Sequence, residues 1–207
     1  MEWEWLNIVG VVGFASSGAI VAMEERYDLL GVVFLAFATS FGGGVLRNVL
    51  LGQPVAVLFQ QDLLFGVALL AAVVLFLLPR EWFAPWRRLE TFFDACGLAA
   101  FSVQAAMITT QKGFPIVAVV VAALLTGAGG GIIRDVLARR RPAVFQPETL
   151  YGVWAMVAAA AIALGWPQQG WPIALLVAFV VAMRMASVIY RWGLPVRDLA
   201  APDQQLK

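Results

Sequence analysis

The chain has 207 residues, 62% of them hydrophobic and only 13% charged, with a mean hydropathy of +0.85. Soluble domains carry about 25% charged residues, so this composition excludes them and identifies a polytopic helical membrane protein; the formal net charge of +1 gives no reason to expect a nucleic-acid partner. One cysteine, Cys96, and no histidine exclude an intrachain disulfide and a cysteine metal cluster and remove the commonest proton shuttle.

The N-terminus, Met1-Glu2-Trp3-Glu4-Trp5, is acidic and aromatic, unlike the basic opening of a signal peptide, so the first apolar run is expected to be retained. About 20 apolar residues cross a hydrocarbon core. Seven stretches qualify, at about 6–23, 29–50, 62–79, 91–110, 115–137, 149–166 and 171–191. Charged or turn residues separate them: Glu24-Glu25-Arg26-Tyr27-Asp28, Gly52-Gln53-Pro54, Pro79-Arg80-Glu81, Gln111-Lys112-Gly113, Arg139-Arg140-Arg141-Pro142 and Gly165-Trp166-Pro167-Gln168-Gln169-Gly170. Pro115 and Pro172 stand where proline opens a helix without losing a needed N–H. Trp3, Trp5, Trp82, Trp86, Trp166, Trp171 and Trp192 lie near predicted ends, as an interfacial belt requires, and Trp154 does not.

Lys and Arg set the orientation. With the N-terminus outside, cytoplasmic segments carry Arg26, then Arg80, Arg87 and Arg88, then Arg139, Arg140 and Arg141, then Arg191, Arg197 and Lys207. The outer segments carry only Lys112. An N-out, C-in arrangement follows, with a short cytoplasmic tail over 192–207.

Two stretches repeat each other. Thr39-Ser40-Phe41-Gly42-Gly43-Gly44-Val45-Leu46-Arg47-Asn48-Val49-Leu50 is matched, 87 residues on, by Thr126-Gly127-Ala128-Gly129-Gly130-Gly131-Ile132-Ile133-Arg134-Asp135-Val136-Leu137. The same offset places Asn7 on Asp94, Gly10 on Gly97, Phe14 on Phe101 and Ala19 on Ala106. The chain therefore reads as one membrane domain, 1–207, with repeat one at about 5–80, repeat two at about 90–167 and a seventh helix at about 171–191. Each repeat has three spans, so the second enters the membrane from the opposite side. Inverted repeats with helices interrupted at matching positions build the central pathway of many transport proteins.

Three consecutive glycines cost about 1 kcal/mol each in a helix against alanine, so spans 2 and 5 are expected to bend or unwind at Gly42, Gly43 and Gly44 and at Gly129, Gly130 and Gly131. Unwound backbone at membrane depth must be buried in protein or line a water-filled cavity. The competing reading is close helix packing, which small residues permit. Arg47 and Arg134 must avoid lipid, since a central charge costs at least about 2.5–3.5 kcal/mol. Asp94 and Asp135 are their obvious acidic partners, and snorkelling is the alternative for Arg134. Arg184, outside the repeat, reads as structural and able to snorkel inward.

Ser16, Ser17, Gln104 and Thr126, with Asp94, Thr39, Ser40 and Thr109, place oxygens within spans 1, 2, 4 and 5. Such groups replace part of a cation's hydration shell or join helices by hydrogen bonds. Asp94 also fits a helix cap at the start of span 4. Arg139, Arg140 and Arg141 form, with Arg87 and Arg88, a basic rim that serves topology or binds anionic lipid.

Together, the doubled Gly-Gly-Gly-x-x-Arg unit and the small-residue first helix Gly13-Phe14-Ala15-Ser16-Ser17-Gly18-Ala19 resemble the prokaryotic branch of the trimeric intracellular cation (TRIC) channel family, over roughly residues 5 to 190. The resemblance implies an all-α protomer of two inverted three-helix repeats plus a seventh helix. It further implies a homotrimer with one pore per protomer, lined by helices 1, 2, 4 and 5 and kinked at the glycines, and potassium and sodium as the ions. The same sequence family is also catalogued as bacterial glycine transporters. Asn48, where repeat two has Asp135, makes the halves electrostatically unequal.

The expected function is thus a monovalent cation channel of a prokaryotic inner membrane, gated at the glycines, with Arg47 and Arg134 tuning the pathway and Asp94 and Asp135 offsetting their charge. The alternative is a secondary transporter of glycine or another small zwitterion. No potassium filter motif is present, so discrimination among monovalent ions is expected to be weak. Neither an enzymatic activity nor a cofactor is expected: no nucleophile is paired with a base, and no metal beyond transient potassium or sodium is implied.

Overall fold

The computed structural model describes residues 3–79, 81, 86–147 and 150–197, the side chains of 86 and 87 excepted. Expectations resting on Arg80, Trp82, the side chains of Trp86 and Arg87, and the tail from 198 to Lys207 lie outside the described residues. Seven α-helices are present among the described residues: α1 (Glu4–Glu24), α2 (Leu29–Leu50), α3 (Asp62–Leu77), α4 (Trp86–Gln111), α5 (Ile116–Leu137), α6 (Val153–Ala163) and α7 (Trp171–Ile189). No strand occurs among the described residues. Short 3-10 helices at Val55–Gln60 and Ala143–Phe145 follow α2 and α5 at matching places. Local chemistry sets the starts. The Asp28 carboxylate accepts the Gly31 N–H at 2.8 Å and caps α2, Pro115 is the N-cap of α5, and Pro172 sits in the first turn of α7.

Among the described residues five helices, α1, α2, α4, α5 and α7, are long and apolar enough to cross a membrane. Two expected spans form shorter apolar helices. At 1.5 Å per residue α3, with 16 residues, is about 24 Å long, and α6, with 11, about 17 Å; a hydrocarbon core is about 30 Å thick. Residues 150–152, expected within the sixth span, are not helical, and Tyr151 is buried ahead of α6 at 3% exposure. Past Ala163 the chain turns at Gly165, whose φ of 103° suits only glycine.

Two helices form the centre. α1 is buried almost continuously from Gly10 to Ala22 and packs on α2, α3 and α4, while α4 packs on α1, α5, α6 and α7. Gly10 lies against the Phe101 ring and Gly97 against the Phe14 ring, and the two rings sit 5.5 Å apart. Residue numbers rise along one helix as they fall along the other, so α1 and α4 are antiparallel. The α2–α5 crossing obeys the same rule, with Gly42 against Ile133 and Gly129 against Leu46. Leu30, Phe34, Leu70, Leu77 and Val117 turn outward, a face that suits lipid.

The glycine triplets do not unwind. α2 and α5 are helical throughout, across Gly42–Gly44 and Gly129–Gly131 alike. What the glycines supply is proximity: a Cβ on Gly43 would collide with the Thr126 carbonyl oxygen, and one on Gly130 with the Thr39 carbonyl oxygen. The Thr39 and Thr126 hydroxyls each donate to a carbonyl four residues earlier, Leu35 and Ala122, at 2.6 Å. Backbone-to-backbone packing offsets the poor helix propensity that prompted the expectation of a break.

Candidate functional site

Two polar clusters flank the glycine crossing, each built from α1, an α2 or α5 arginine, and α4. In the first, the Arg47 guanidinium donates to Gln104 Oε1 at 2.9 Å and to Asn48 Oδ1 at 3.2 Å. Gln104 in turn donates its amide to Asn7 Oδ1 at 2.6 Å. Among the described residues Arg47 makes no ion pair. Its charge is held by neutral dipoles alone.

Around Arg134 the second cluster repeats this frame with different chemistry. Arg134 donates to Asp94 Oδ1 at 2.8 Å, to Asp135 Oδ1 at 2.8 Å and to the Ser17 hydroxyl, and its Nη2 lies 3.3 Å from Glu90. Ser17 stands 87 residues before Gln104, and Asn7 87 before Asp94, so the two clusters share one geometry. One guanidinium, 1% exposed, faces three carboxylates. Asp94 lies two turns inside α4 and is not a cap. The expectation that Asp94 and Asp135 serve both arginines is also corrected: they serve Arg134 only, because antiparallel packing puts the acid-bearing end of α4 beside the end of α5 and leaves Gln104 beside Arg47. Burial of the Arg134 side chain also removes the snorkelling alternative.

Asn48 and Asp135 hold the turns that follow their helices. Asn48 donates to the Pro54 carbonyl at 3.3 Å, and Asp135 accepts the Ala143 N–H at 3.0 Å. Ser16 is buried in α1 and joins neither cluster, and Thr126 bonds within its own helix.

Small cavities adjoin the clusters on either side of the crossing. One of about 20 Å³, lined by Asn7, Ser40, Gly44, Arg47, Gln104 and Thr126 among others, lies on the Arg47 side. Another of about 180 Å³, lined by Glu90, Asp94, Arg134, Asp135, Arg141 and Arg184 among others, lies on the Arg134 side. Between them Gly43, Gly130 and the Phe14 ring close up. The crossing is shut.

Beyond Arg134 lies the basic rim. Arg140 is tied to Glu24 at 2.8 Å and to Glu25 at 2.6 Å, whereas Arg139, at φ 57°, and Arg141 are exposed. Three functional candidates escaped the sequence reading: Glu90, Tyr151 and the buried role of Arg184. Glu90 could have been found from its i, i+4 spacing to Asp94, which puts both on one face of α4. Arg184 does not snorkel; it is 3% exposed, with its guanidinium carbon 4.7 Å from the centre of the Tyr151 ring.

Relatives are found in both sequence and structure. The membrane protein YvgT of Bacillus subtilis is 46% identical over 198 residues, 96% of this chain and 98% of that one. The inner membrane protein YadS of Escherichia coli K12 is 30% identical over 212 residues, covering 96% and 97% of the two chains. Among solved structures, a TRIC cation channel superimposes with a TM-score of 0.80 at 29% identity over 97% of this chain and all of its own. The TRIC orthologue of Rhodobacter sphaeroides does so with a TM-score of 0.75 at 27% identity, covering 90% and 95%. A TRIC channel of C. elegans, at 14% identity and a TM-score of 0.63, shares the fold. The family model described as glycine transporter matches residues 4–80 and again 91–167, the second match displaced by the same 87 residues as the internal duplication, and the chain belongs to that family.

Proposed function

We propose that the protein is a monovalent cation channel, one pathway running through each protomer between α1, α2, α4 and α5. The observation that carries this reading is the pair of polar clusters on opposite sides of one tight glycine crossing, in a fold whose solved relatives are TRIC cation channels. Three carboxylates around the single Arg134 guanidinium leave that cluster with acid in excess, which attracts cations toward it. A cation passes only if the α2–α5 crossing opens, so the crossing is the gate and this conformation is closed. On this reading the chain is one membrane domain of two inverted three-helix repeats plus α7, seven membrane helices in all, and it works as a homotrimer in a prokaryotic inner membrane. Arg88, Arg139, Arg140, Arg141 and Arg191 gather at one end, which by the positive-inside rule is cytoplasmic, with the N-terminus outside.

A planar-bilayer recording of the purified protein under a KCl gradient tests the reading. Discrete openings that reverse near the potassium equilibrium potential are expected, with sodium carrying current of similar size. Arg47→Ala should raise single-channel conductance for cations, since it removes an unneutralised positive charge from the pathway. Unchanged conductance and open probability in this variant would remove Arg47 from the mechanism.

A second reading is favoured by the family's description as glycine transporter. A small zwitterion needs both a cation and an acid nearby, and the Arg134 side of the crossing supplies both. Saturable uptake of labelled glycine into proteoliposomes, competed by unlabelled glycine, with no channel openings, would establish transport instead.

A further inference from the structure

Among the described residues, Arg184 of α7 is the buried charge that neither polar cluster uses. Its side chain is 3% exposed, yet its Nε and Nη1 have no hydrogen-bond partner among the described residues. The face of the guanidinium stacks on the Tyr151 ring, a contact that leaves Nε–H and Nη1–H unsatisfied. An uncompensated buried charge strongly destabilises a protein, and buried donors nearly always find acceptors. Arg184 therefore calls for an acceptor that the protein itself does not provide.

The surroundings specify that acceptor. Arg184 lines the cavity of about 180 Å³ with Glu90, Thr91, Asp94, Arg134, Asp135, Arg140 and Arg141. The three acids there are engaged by Arg134, and Arg140 is engaged by Glu24 and Glu25. Tyr151 gives its hydroxyl proton to Asp94 at 3.2 Å. The guanidinium groups of Arg184, at the back, and Arg141, at the rim, remain for an incoming group. Two guanidinium forks match the oxygens of a phosphate-type anion better than a lone halide. The cavity also has room for such a group with a few waters, each of which occupies about 30 Å³.

Next to it, and sharing Glu90, Thr91, Arg140, Gln146 and Val188, lies a wider cleft of about 920 Å³. Met185, Val188 and Ile189 line it on α7, and Arg88 and Arg191 also border it. The cleft gives an anion a route inward, and it can also take the rest of a phospholipid whose headgroup reaches Arg184.

We propose that the cavity between α4, α5 and α7 is an oxyanion-binding site that holds one phosphate-type group on Arg184 and Arg141. The site borders the Arg134 cluster of the proposed pathway, and its test is independent of whether the protein conducts.

Thermal unfolding of the full chain, delipidated in a neutral detergent, is measured against inorganic phosphate at constant ionic strength. A second arm uses nanodiscs of phosphatidylcholine with or without phosphatidylglycerol. At a hundredfold excess over Kd, bound anion should raise the melting temperature of the unsubstituted protein by about 5 °C or more. A rise with inorganic phosphate assigns a soluble anion, and a rise with phosphatidylglycerol alone assigns a lipid headgroup. Arg184→Gln should abolish the rise and, with no anion present, should melt higher than the unsubstituted protein. If it fails to fold, Arg141→Gln, at the exposed rim, should weaken the response at least tenfold in half-saturating concentration. No rise in either arm, or an equal rise in the unsubstituted protein and in whichever variant folds, overturns the proposal. So does an equal loss of stability in Arg184→Gln with and without anion, which would leave Arg184 only its stacking on Tyr151.

Discussion

Gly43→Ala and Gly130→Ala should each destabilise the protein by about 1–3 kcal/mol, the usual cost of forcing a methyl into a well-packed contact. For a chain of this size that is a fall in melting temperature of roughly 2–12 °C. The added carbon on Gly43 runs into the Thr126 carbonyl, and that on Gly130 into the Thr39 carbonyl. Both obstacles are backbone, so no rotamer change relieves them; α2 and α5 must move apart. Gly66→Ala is the control, because nothing lies within 4 Å of the Cβ it would add. Improved helix propensity should make that variant neutral or up to about 1 kcal/mol more stable. Differential scanning fluorimetry of the three variants gives the comparison, and equal melting temperatures would show that the crossing is not a tight contact. Where the Gly43 and Gly130 variants fold, a crossing held apart should also raise open probability in bilayer recordings.

The second large effect separates the two arginines. Arg134→Met leaves Glu90, Asp94 and Asp135 facing one another without their common partner. Breaking a buried ion pair from one side costs about 3–5 kcal/mol, so a fall in melting temperature of about 6–20 °C is expected. Arg47→Met leaves behind only the neutral amides Gln104 and Asn48, and it also relieves a charge that no carboxylate offsets. Its cost should stay near or below about 1 kcal/mol. A less-than-additive double variant, Arg134→Met with Asp94→Asn, would locate the loss in the unpaired acid. Equal destabilisation by Arg47→Met and Arg134→Met would contradict the pairing described above.

An asymmetry between equivalent arginines has a functional consequence. The Arg47 side offers a fixed positive charge among amides, and the Arg134 side offers acid in excess. If the protomer conducts cations as proposed, a passing cation meets attraction on one side and repulsion on the other, which predisposes the pathway to rectify. The inverted duplication supplies the common frame, and the replacement of Asp by Asn at positions 7 and 48 relative to 94 and 135 makes the halves differ.

Hydropathy was enough to place α1, α2, α4, α5 and α7, and the 87-residue offset was enough to pair Asn7 with Asp94 and Arg47 with Arg134. Both signals are written along the chain: apolar length sets a span, and duplication copies positions regardless of how they pack. Tertiary structure alone decided that Asp94, Asp135 and Glu90 converge on Arg134 while Arg47 receives amides, because the antiparallel packing of α4 on α1 chooses which end of α4 meets which arginine. It also decided that the glycine triplets remain helical, since the contact that offsets their low propensity comes from a helix 87 residues away. Arg184 shows the same limit. Its place near the end of an apolar span suggested an easy path to water, but Tyr151, held outside α6, covers the guanidinium and turns a surface charge into a buried one.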